Sequence, residues 1–239
     1  KLADSNLSAN SFSLIQKAWQ EILPFQDEPI KVSYKNERIN LYTLIKRKIE
    51  NYNARLLVKA ELENSSFKTF VDRGKYVTVT VKDQVQKNPI AGLPIKIKIL
   101  DSVSTFFSDA NGIVQQSILI PFTASSFPIE YSVDVNTLFS EFGTKSSLIN
   151  INPIINTITA RVLPSRALIV SSEKNLNEAL DDKIIEPAIK KYMNNRLEFV
   201  SDGPDVEIII NANTIKKSRR MGNNFPYFTF GSVSVEFRE

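Results

Sequence analysis

Apolar residues near the start of the chain recur every three or four positions, at Phe12, Ile15, Trp19 and Ile22. This spacing is typical of one buried face of an α-helix. Ser8 and Asn10 are both candidate N-caps, because a short polar side chain can accept a hydrogen bond from the first free backbone N–H groups. Pro24 is expected to end the helix, since proline lacks the backbone N–H that a helix interior needs.

A second helix is predicted to begin after Asn40, its candidate cap, and to present a further apolar stripe. The stripe consists of Leu41, Leu44, Ile45, Ile49 and Tyr52. A short extended segment with a turn at Lys35 and Asn36 precedes this helix, and a strand is expected from Leu56 to Ala60. The first part of the chain is therefore predicted to be mainly helical.

The apolar period changes to two in the middle of the chain. Two stretches show it most clearly: Val77, Val79 and Val81 alternate with threonine, and Ile95, Ile97 and Ile99 alternate with lysine. Strict alternation indicates strands with one buried and one solvated face. Asn111–Gly112 between two strand-like runs predicts a hairpin within residues 105–120. Several such strands separated by proline, glycine and asparagine turns indicate an antiparallel β-sandwich.

The last part of the chain has a mixed pattern. The segment RALIVSSE predicts a strand, and the stretch from Asn175 to Asn195 predicts an amphipathic helix capped by Asn175 or Ser172. Pro187 should kink or divide this helix. The apolar runs after it predict three further strands, so we expect one helix laid across a sheet.

These patterns together predict an α+β multidomain fold in three parts. A helical N-terminal region covers residues 1–63, an immunoglobulin-like antiparallel β-sandwich covers 64–164, and a C-terminal α/β layer domain covers 165–239. The final pattern stops within a strand, so the last domain is expected to be truncated.

The middle part resembles bacterial immunoglobulin-like modules of the invasin and carboxypeptidase-regulatory type. The shared sequence pattern is a strand, a proline- and glycine-containing turn, a second strand and a Ser/Thr-Asp-x-x-Gly turn. Here the first turn is NPIAGLP, residues 88–94, and the second is SDANG, residues 108–112. The resemblance implies a module that uses its loops and sheet edges for interaction.

The flanking parts resemble bacterial envelope lipoproteins of the Lpp-twenty type, whose carboxy-terminal part is similar to the α/β domain of curli-secretion and penicillin-binding-protein-activator lipoproteins. In that domain a helix begins near a Ser-Glu pair, here Ser172–Glu173. The resemblance implies a periplasmic or cell-surface protein associated with the outer membrane. The chain departs from the family in lacking a leader and a lipobox cysteine, so membrane attachment is expected only through a lipid anchor outside this fragment.

Catalytic chemistry has few residues to work with in this chain. Histidine and cysteine are both absent, so the commonest general base and the strongest nucleophile are missing. Asp181 and Asp182 are adjacent, and on a helix they would point about 100° apart. Asp109 and Asn111 offer too few oxygens for Ca²⁺. We therefore expect no enzyme activity, no cofactor and no metal.

The most functional-looking stretch is TIKKSRRMGNNFPYF, which places basic residues beside aromatic ones. The candidate partner or anion contacts are Lys216, Lys217, Arg219, Arg220, Phe225 and Tyr227. They could contact an anionic envelope polymer or protein, or they could simply form an exposed loop between two strands. Residues 165–239 contain eleven basic and eleven acidic residues, which disfavours nucleic acid.

The sequence thus favours a non-enzymatic envelope protein that acts in interaction or assembly with an envelope protein or polymer, without nucleic acid. One alternative is a carbohydrate-binding module, for which Phe106, Phe107, Phe122 and Phe127 are the aromatic candidates. Another is a hydrolase with paired carboxylates about 5–10 Å apart. The oligomeric state does not follow from the sequence.

Overall fold

The computed structural model describes residues 7–122, 124–140, 155–216 and 229–238. The described residues form two compact units. The first is drawn from residues within 1–65, 75–118 and 127–160, and the second from residues within 66–74, 119–126 and 161–239.

The two long helices of the first unit match the predicted faces, and their caps are among the predicted candidates. Helix α1 is Ala9–Ile22 and helix α2 is Leu41–Arg55. The Ser8 hydroxyl accepts the backbone N–H of Ser11 at 3.1 Å, and the Asn40 side-chain oxygen accepts that of Thr43 at the same distance. Each cap satisfies a donor that the first helical turn leaves free.

Strands make up the rest of the first unit. They are β1 (Lys31–Tyr34), β2 (Glu37–Asn40), β3 (Leu56–Leu62), β5 (Tyr76–Asp83), β6 (Pro94–Ile99), β7 (Ser102–Phe107), β8 (Ile113–Ser117), β9 (Ser126–Val133) and most of β10 (Asn156–Leu163), with β4 (Ser66–Lys68) in the second unit. The short helix α3 is Val135–Leu138. One sheet has the order β3-β5-β8, and another has the order β10-β9-β6-β7, with β4 pairing in parallel to the last residues of β10. Strands β1 and β2 form a hairpin whose turn residues, Lys35 and Asn36, have positive φ.

The predicted alternation in β5 and β6 is confirmed. Val77, Val79 and Val81 are fully buried, and so are Ile95 and Ile97, while the lysines between the isoleucines are exposed. The period-two pattern therefore identified both the strands and their buried faces.

The predicted hairpin within residues 105–120 is wrong. Strand β7 pairs with β6 and strand β8 pairs with β5, so the two runs lie in different sheets. The turn itself is present: one Asp109 carboxylate oxygen accepts the backbone N–H groups of Asn111 and Ile113 at 2.9 and 2.8 Å. Gly112 has a φ of +69°, and a Cβ there would lie 2.2 Å from the Val81 carbonyl oxygen. The turn carries the chain from one sheet to the other.

Besides β4 and the end of β10, the described residues of the second unit form one mixed sheet and one helix. Its strands are β11 (Ser165–Asn175), β12 (Glu178–Ala179), β13 (Leu197–Phe199), β14 (Val206–Lys216) and β15 (Thr229–Arg238), and its helix is α4 (Ile185–Met193). The sheet order is β12-β11-β14-β15, and β13 pairs with the start of β11. Strands β11 and β14 are parallel, so α4 is part of the crossover between them. Ile185, Ile189 and Met193 of α4 pack against a core that includes Ile208 and Ile210.

The predicted helix from Asn175 to Asn195 begins ten residues too early. Asn175 ends strand β11, and Leu176 and Asn177 have positive φ in a tight turn that leads to β12. Helix α4 starts only at Ile185, so Pro187 lies in its first turn, where the missing N–H costs little.

The predicted fold class is wrong as well. Strand accounts for 47% and helix for 23% of the structure, so the chain is mostly β and not an α+β arrangement of a helical N-terminal region, an immunoglobulin-like sandwich and an α/β layer domain. Helical periods correctly indicated α1, α2 and α4, but most of the remaining described elements are strands that pair only in the tertiary fold. The boundaries at residues 63/64 and 164/165 stay a prediction.

Candidate functional site

The predicted basic and aromatic site lies almost wholly outside the described residues. Lys217, Arg219, Arg220, Phe225 and Tyr227 fall in the undescribed segment 217–228. The backbone of Lys216 is described and pairs with Thr229 as the last pair between β14 and β15. The proposed role of these six residues therefore stays a prediction.

Strand β15 is the longest described strand in which every residue is exposed. It pairs with β14 over ten residues, from Glu207 opposite Arg238 to Lys216 opposite Thr229. Along its other side, which we call the open edge, it pairs with no described strand. All ten of its residues are exposed. The open edge is thus a row of backbone donors and acceptors that a further strand could use.

One face of β15 is apolar although it is exposed. Val233, Val235 and Phe237 lie opposite Ala212, Ile210 and Ile208 of β14, and residues opposite each other in an antiparallel pair point to the same face. The two isoleucines are fully buried on the side that α4 covers, whereas the three β15 residues are 57%, 43% and 40% exposed. The Phe237 ring stacks on that of Phe70 in the same unit, with ring centres 5.6 Å apart, so Phe237 is covered in part from within the chain. The core face of the sheet therefore continues beyond the cover that α4 provides.

The other face of β15 is mainly polar. Ser232, Ser234, Glu236 and Arg238 alternate with the apolar residues, and the Glu236 carboxylate accepts two N–H groups of Arg238 at 2.9 Å. Phe230 is the apolar exception on this face. A strand added at the open edge would meet apolar neighbours on one face and polar neighbours on the other.

A cavity of about 390 Å³ adjoins the apolar face near Gly231. Leu180, Ile184 and Ile185 line one part of it, and Gly231 and Val233 line another. Among the described residues, a Cβ at Gly231 would touch only the Thr214 methyl group, at 3.7 Å. The missing side chain leaves room beside the open edge for an apolar group from outside.

The Glu173 carboxylate closes the N-terminus of α4. It accepts the backbone N–H groups of Ile184, Ile185 and Glu186 at 2.8, 2.9 and 2.8 Å, and the Ser171 hydroxyl at 3.0 Å. Burial alone would raise the pKa of Glu173, but these donors outweigh it and lower the pKa to about 2. The positive end of the helix is thereby satisfied from within the chain.

Two other carboxylates with lowered pKa values also have structural partners. The Arg55 guanidinium holds the pKa of buried Asp83 below its usual range, and the N–H groups of Val85 and Gln86 act in the same direction. Burial opposes the ionisation of Asp205, but the Lys68 ammonium at 2.7 Å and the Arg166 backbone N–H at 2.8 Å lower its pKa. Both side chains hold elements of their own unit together.

The structure also describes residues that the sequence offered for carboxylate catalysis, metal binding and carbohydrate binding. Asp181 and Asp182 lie in a bend before α4 and not on a helix. Within the described ranges no group of three or more acidic residues could hold a metal ion. Phe106 and Phe107 are exposed neighbours on β7, where successive side chains point to opposite faces, and Phe127 is buried.

Phe122 lines a second cavity, of about 340 Å³, together with Arg196. The Arg196 guanidinium carbon lies 5.4 Å from the centre of the Phe122 ring and 5.8 Å from that of Tyr192. No carboxylate among the described residues pairs with Arg196. Thr69, Ser125 and Asn195 add polar groups to the cavity wall.

The fold and these sites define a mostly β chain with an exposed terminal strand in its second unit. No family model matches the chain, and no curated protein matches it in sequence. Among the helices of the described residues, none is long and apolar enough to cross a membrane.

Proposed function

We propose that this chain is a non-enzymatic interaction module that binds a partner by adding the partner's strand to the open edge of β15. The observation that supports the proposal most directly is the exposure of the whole strand, including the apolar face formed by Val233, Val235 and Phe237. Strand addition uses main-chain hydrogen bonds for affinity and alternating side chains for specificity.

The geometry suits this mode of binding for two reasons. About half of the ten residues of β15 direct their N–H and C=O groups away from β14, because these directions alternate along an antiparallel strand. Each bond formed there contributes about 0.5–1.5 kcal/mol. Covering the three apolar side chains adds the hydrophobic contribution that their present exposure leaves unused.

The compartment in this proposal is the bacterial periplasm or cell surface, in association with the outer membrane. Its support is the sequence resemblance of the flanking parts to envelope lipoproteins, including the Ser172–Glu173 pair. An envelope protein or polymer would be the partner, and a lipid anchor outside this chain would provide the attachment.

A synthetic peptide tests strand addition directly. A fluorescently labelled peptide of about ten residues with alternating valine and serine should bind with a micromolar dissociation constant, because it can pair with the open edge and cover the apolar face. Fluorescence anisotropy measures the binding, and hydrogen exchange should show slower exchange in β15 when the peptide is bound.

Two control peptides distinguish strand addition from non-specific hydrophobic binding. One has the same composition with all valines contiguous, and the other is N-methylated at two consecutive central residues, which blocks whichever edge the peptide presents. Both should bind about tenfold more weakly or worse. Equal binding of all three peptides would rule out the proposed mode.

A second candidate function is recognition of an acidic saccharide at the Arg196 cavity. The observation that favours it is a guanidinium within 6 Å of the centres of two aromatic rings, with no described carboxylate partner. An aromatic face can stack on a sugar ring, and a guanidinium can bind a carboxylate through two hydrogen bonds. The polar groups of Thr69, Ser125 and Asn195 could bind hydroxyl groups.

Replacement of Arg196 tests this second candidate. A short oligosaccharide of glucuronic acid should bind the wild-type protein, and Arg196→Met should weaken binding about tenfold or more, since a charge-assisted pair is lost. Arg161→Met, at an exposed arginine of the same unit, should have no effect. NMR titration measures both, and equal binding of a neutral glucose oligomer would argue against a role for the charge.

A further inference from the structure

We infer that the strand added to the open edge of β15 is β15 of a second copy of this chain, in an antiparallel pair related by a two-fold axis through Ser234. This inference rests on the proposed function, because it names the partner for the same edge. It follows from the side-chain pattern of β15 and from the space beside Gly231.

Strand β15 has the side-chain pattern that its own open edge requires. A strand that fits there must present apolar side chains on the α4 side of the sheet and polar side chains on the other. Val233, Val235 and Phe237 alternate with serine, glutamate and arginine in just this way. In an antiparallel pair around a two-fold axis perpendicular to the sheet, like faces of the two copies lie on the same side.

The side chains also restrict the register in which the two copies of β15 can pair. If each residue were paired with the neighbour of its partner in the register centred on Ser234, a register slip of one residue, polar side chains would lie on the apolar face. A centre at Glu236 would set two carboxylates directly opposite each other, which is unfavourable. A centre at Val233 would place Phe230 opposite the partner copy's glutamate at position 236.

A centre at Ser234 avoids these conflicts. It pairs Val233 of each copy with Val235 of the other, and Ser232 with Glu236. On the polar face, Phe230 then lies opposite Arg238, whose guanidinium can stack on an aromatic ring.

The position of Gly231 favours the same register. In the register centred on Ser234, Phe237 of one copy lies directly opposite Gly231 of the other. An aromatic ring placed across from a strand glycine covers the exposed backbone there. The apolar cavity of about 390 Å³ lies beside Gly231 and offers space on that side of the sheet. A centre at Val235 would instead place Phe237 opposite Val233 and leave Gly231 uncovered by a side chain of the described strand.

The resulting assembly is a closed dimer with one continuous sheet. The order β12-β11-β14-β15 of one copy continues into β15, β14, β11 and β12 of the other. Both α4 helices then lie on the same face. Because the two-fold axis uses both open edges, the assembly is closed and offers no further β15 edge for growth.

Cysteine cross-linking tests the register, since the natural chain contains no cysteine. In Ser234→Cys the two new thiols lie directly opposite each other, with Cα atoms about 4.5–5.5 Å apart, a separation that suits a disulfide. We expect this variant to form a covalent dimer under mild oxidation. Ser232→Cys is the matched control: it lies on the same face, but the two cysteines are offset by four residues, about 13 Å along the strands.

The result that would overturn the register is efficient cross-linking of Ser232→Cys, or of Val235→Cys in preference to Ser234→Cys. The absence of a cross-link in all three variants would overturn the second-copy assignment itself. Reducing and non-reducing gels at several protein concentrations measure the yield.

Sedimentation equilibrium tests the dimer without a cross-link. Between about 1 and 500 μM the wild-type protein should show a concentration-dependent monomer–dimer equilibrium. Val235→Lys should weaken dimerisation about tenfold or more, because it places two cations at the pairing centre. Val170→Lys is the matched control, because Val170 is a similarly exposed valine on β11 of the same sheet.

The two proposals fail in different ways. A protein that stays monomeric throughout this range but binds the alternating valine–serine peptide overturns the second copy as occupant and leaves strand addition standing. A protein that neither dimerises nor binds the peptide overturns both. If the protein dimerises, the peptide should compete with the dimer, and a peptide that binds without shifting the equilibrium would place the dimer contact elsewhere.

Discussion

Replacing Arg55 by methionine should destabilise the first unit by about 3–5 kcal/mol, because it leaves a buried carboxylate without its cation. Asp83 is fully buried at the end of β5, and the Arg55 Nε atom lies 3.1 Å from one of its oxygens. A second guanidinium nitrogen of Arg55 contacts the same oxygen. The pair joins the last residue of α2 to the last residue of β5.

Chemical unfolding followed by the fluorescence of Trp19 measures this effect, since Trp19 is the single tryptophan of the chain and lies in the first unit. Arg55→Lys should cost less, because it keeps the charge but loses the second hydrogen bond. Adding Asp83→Asn to Arg55→Met should recover part of the loss. A loss below about 1 kcal/mol for Arg55→Met would show that Asp83 is solvated or paired in some other way.

Replacing Glu173 by glutamine should destabilise the second unit by about 2 kcal/mol at neutral pH, because three backbone N–H groups of α4 lose a charged acceptor. Its local signature should be faster hydrogen exchange at the amides of Ile184, Ile185 and Glu186. Glu178→Gln, at an exposed residue of the neighbouring strand β12, is the matched control and should change neither quantity.

The same variant should change the pH dependence of stability. Folding lowers the pKa of Glu173 from its ordinary value of 4.5 to about 2, so the carboxylate stabilises the fold fully above pH 4.5. That contribution is lost as the pH falls from 4.5 through 2, where the native carboxylate also becomes protonated. The difference in unfolding free energy between wild type and Glu173→Gln should therefore shrink over this range. A constant difference would show that the ionised carboxylate is not the acceptor that matters.

Local patterns were most informative where one strand or helix buries one face. The alternation of valine with threonine in β5 and of isoleucine with lysine in β6 predicted both the strands and the buried side. The candidate caps, Ser8 or Asn10 for α1 and Asn40 for α2, predicted where these helices begin. These features depend on neighbours within a few residues, so a linear sequence contains the information they need.

Local patterns were misleading where the outcome depended on distant pairing. Asn111–Gly112 correctly predicted a turn, but β7 pairs with β6 and β8 pairs with β5, so the two strands lie in different sheets. The apolar residues from Leu176 to Leu180 matched a helical period, yet the tight turn into β12 outweighed it. The resemblance marked Ser172–Glu173 only as a pair near the start of a helix. The role of Glu173 as the acceptor for the α4 amides could not be predicted, because these amides lie more than ten residues away.

The sequence by itself determined which faces of the regular elements are apolar, where the first two helices are capped, and that the chain lacks histidine and cysteine. The tertiary structure alone decided that strands outweigh helices, that Glu173 and Asp83 are tied to distant partners, and that β15 is left at an open edge. The physical reason is that burial patterns and caps are local properties, whereas the edge of a sheet exists only after every other strand has found its neighbour.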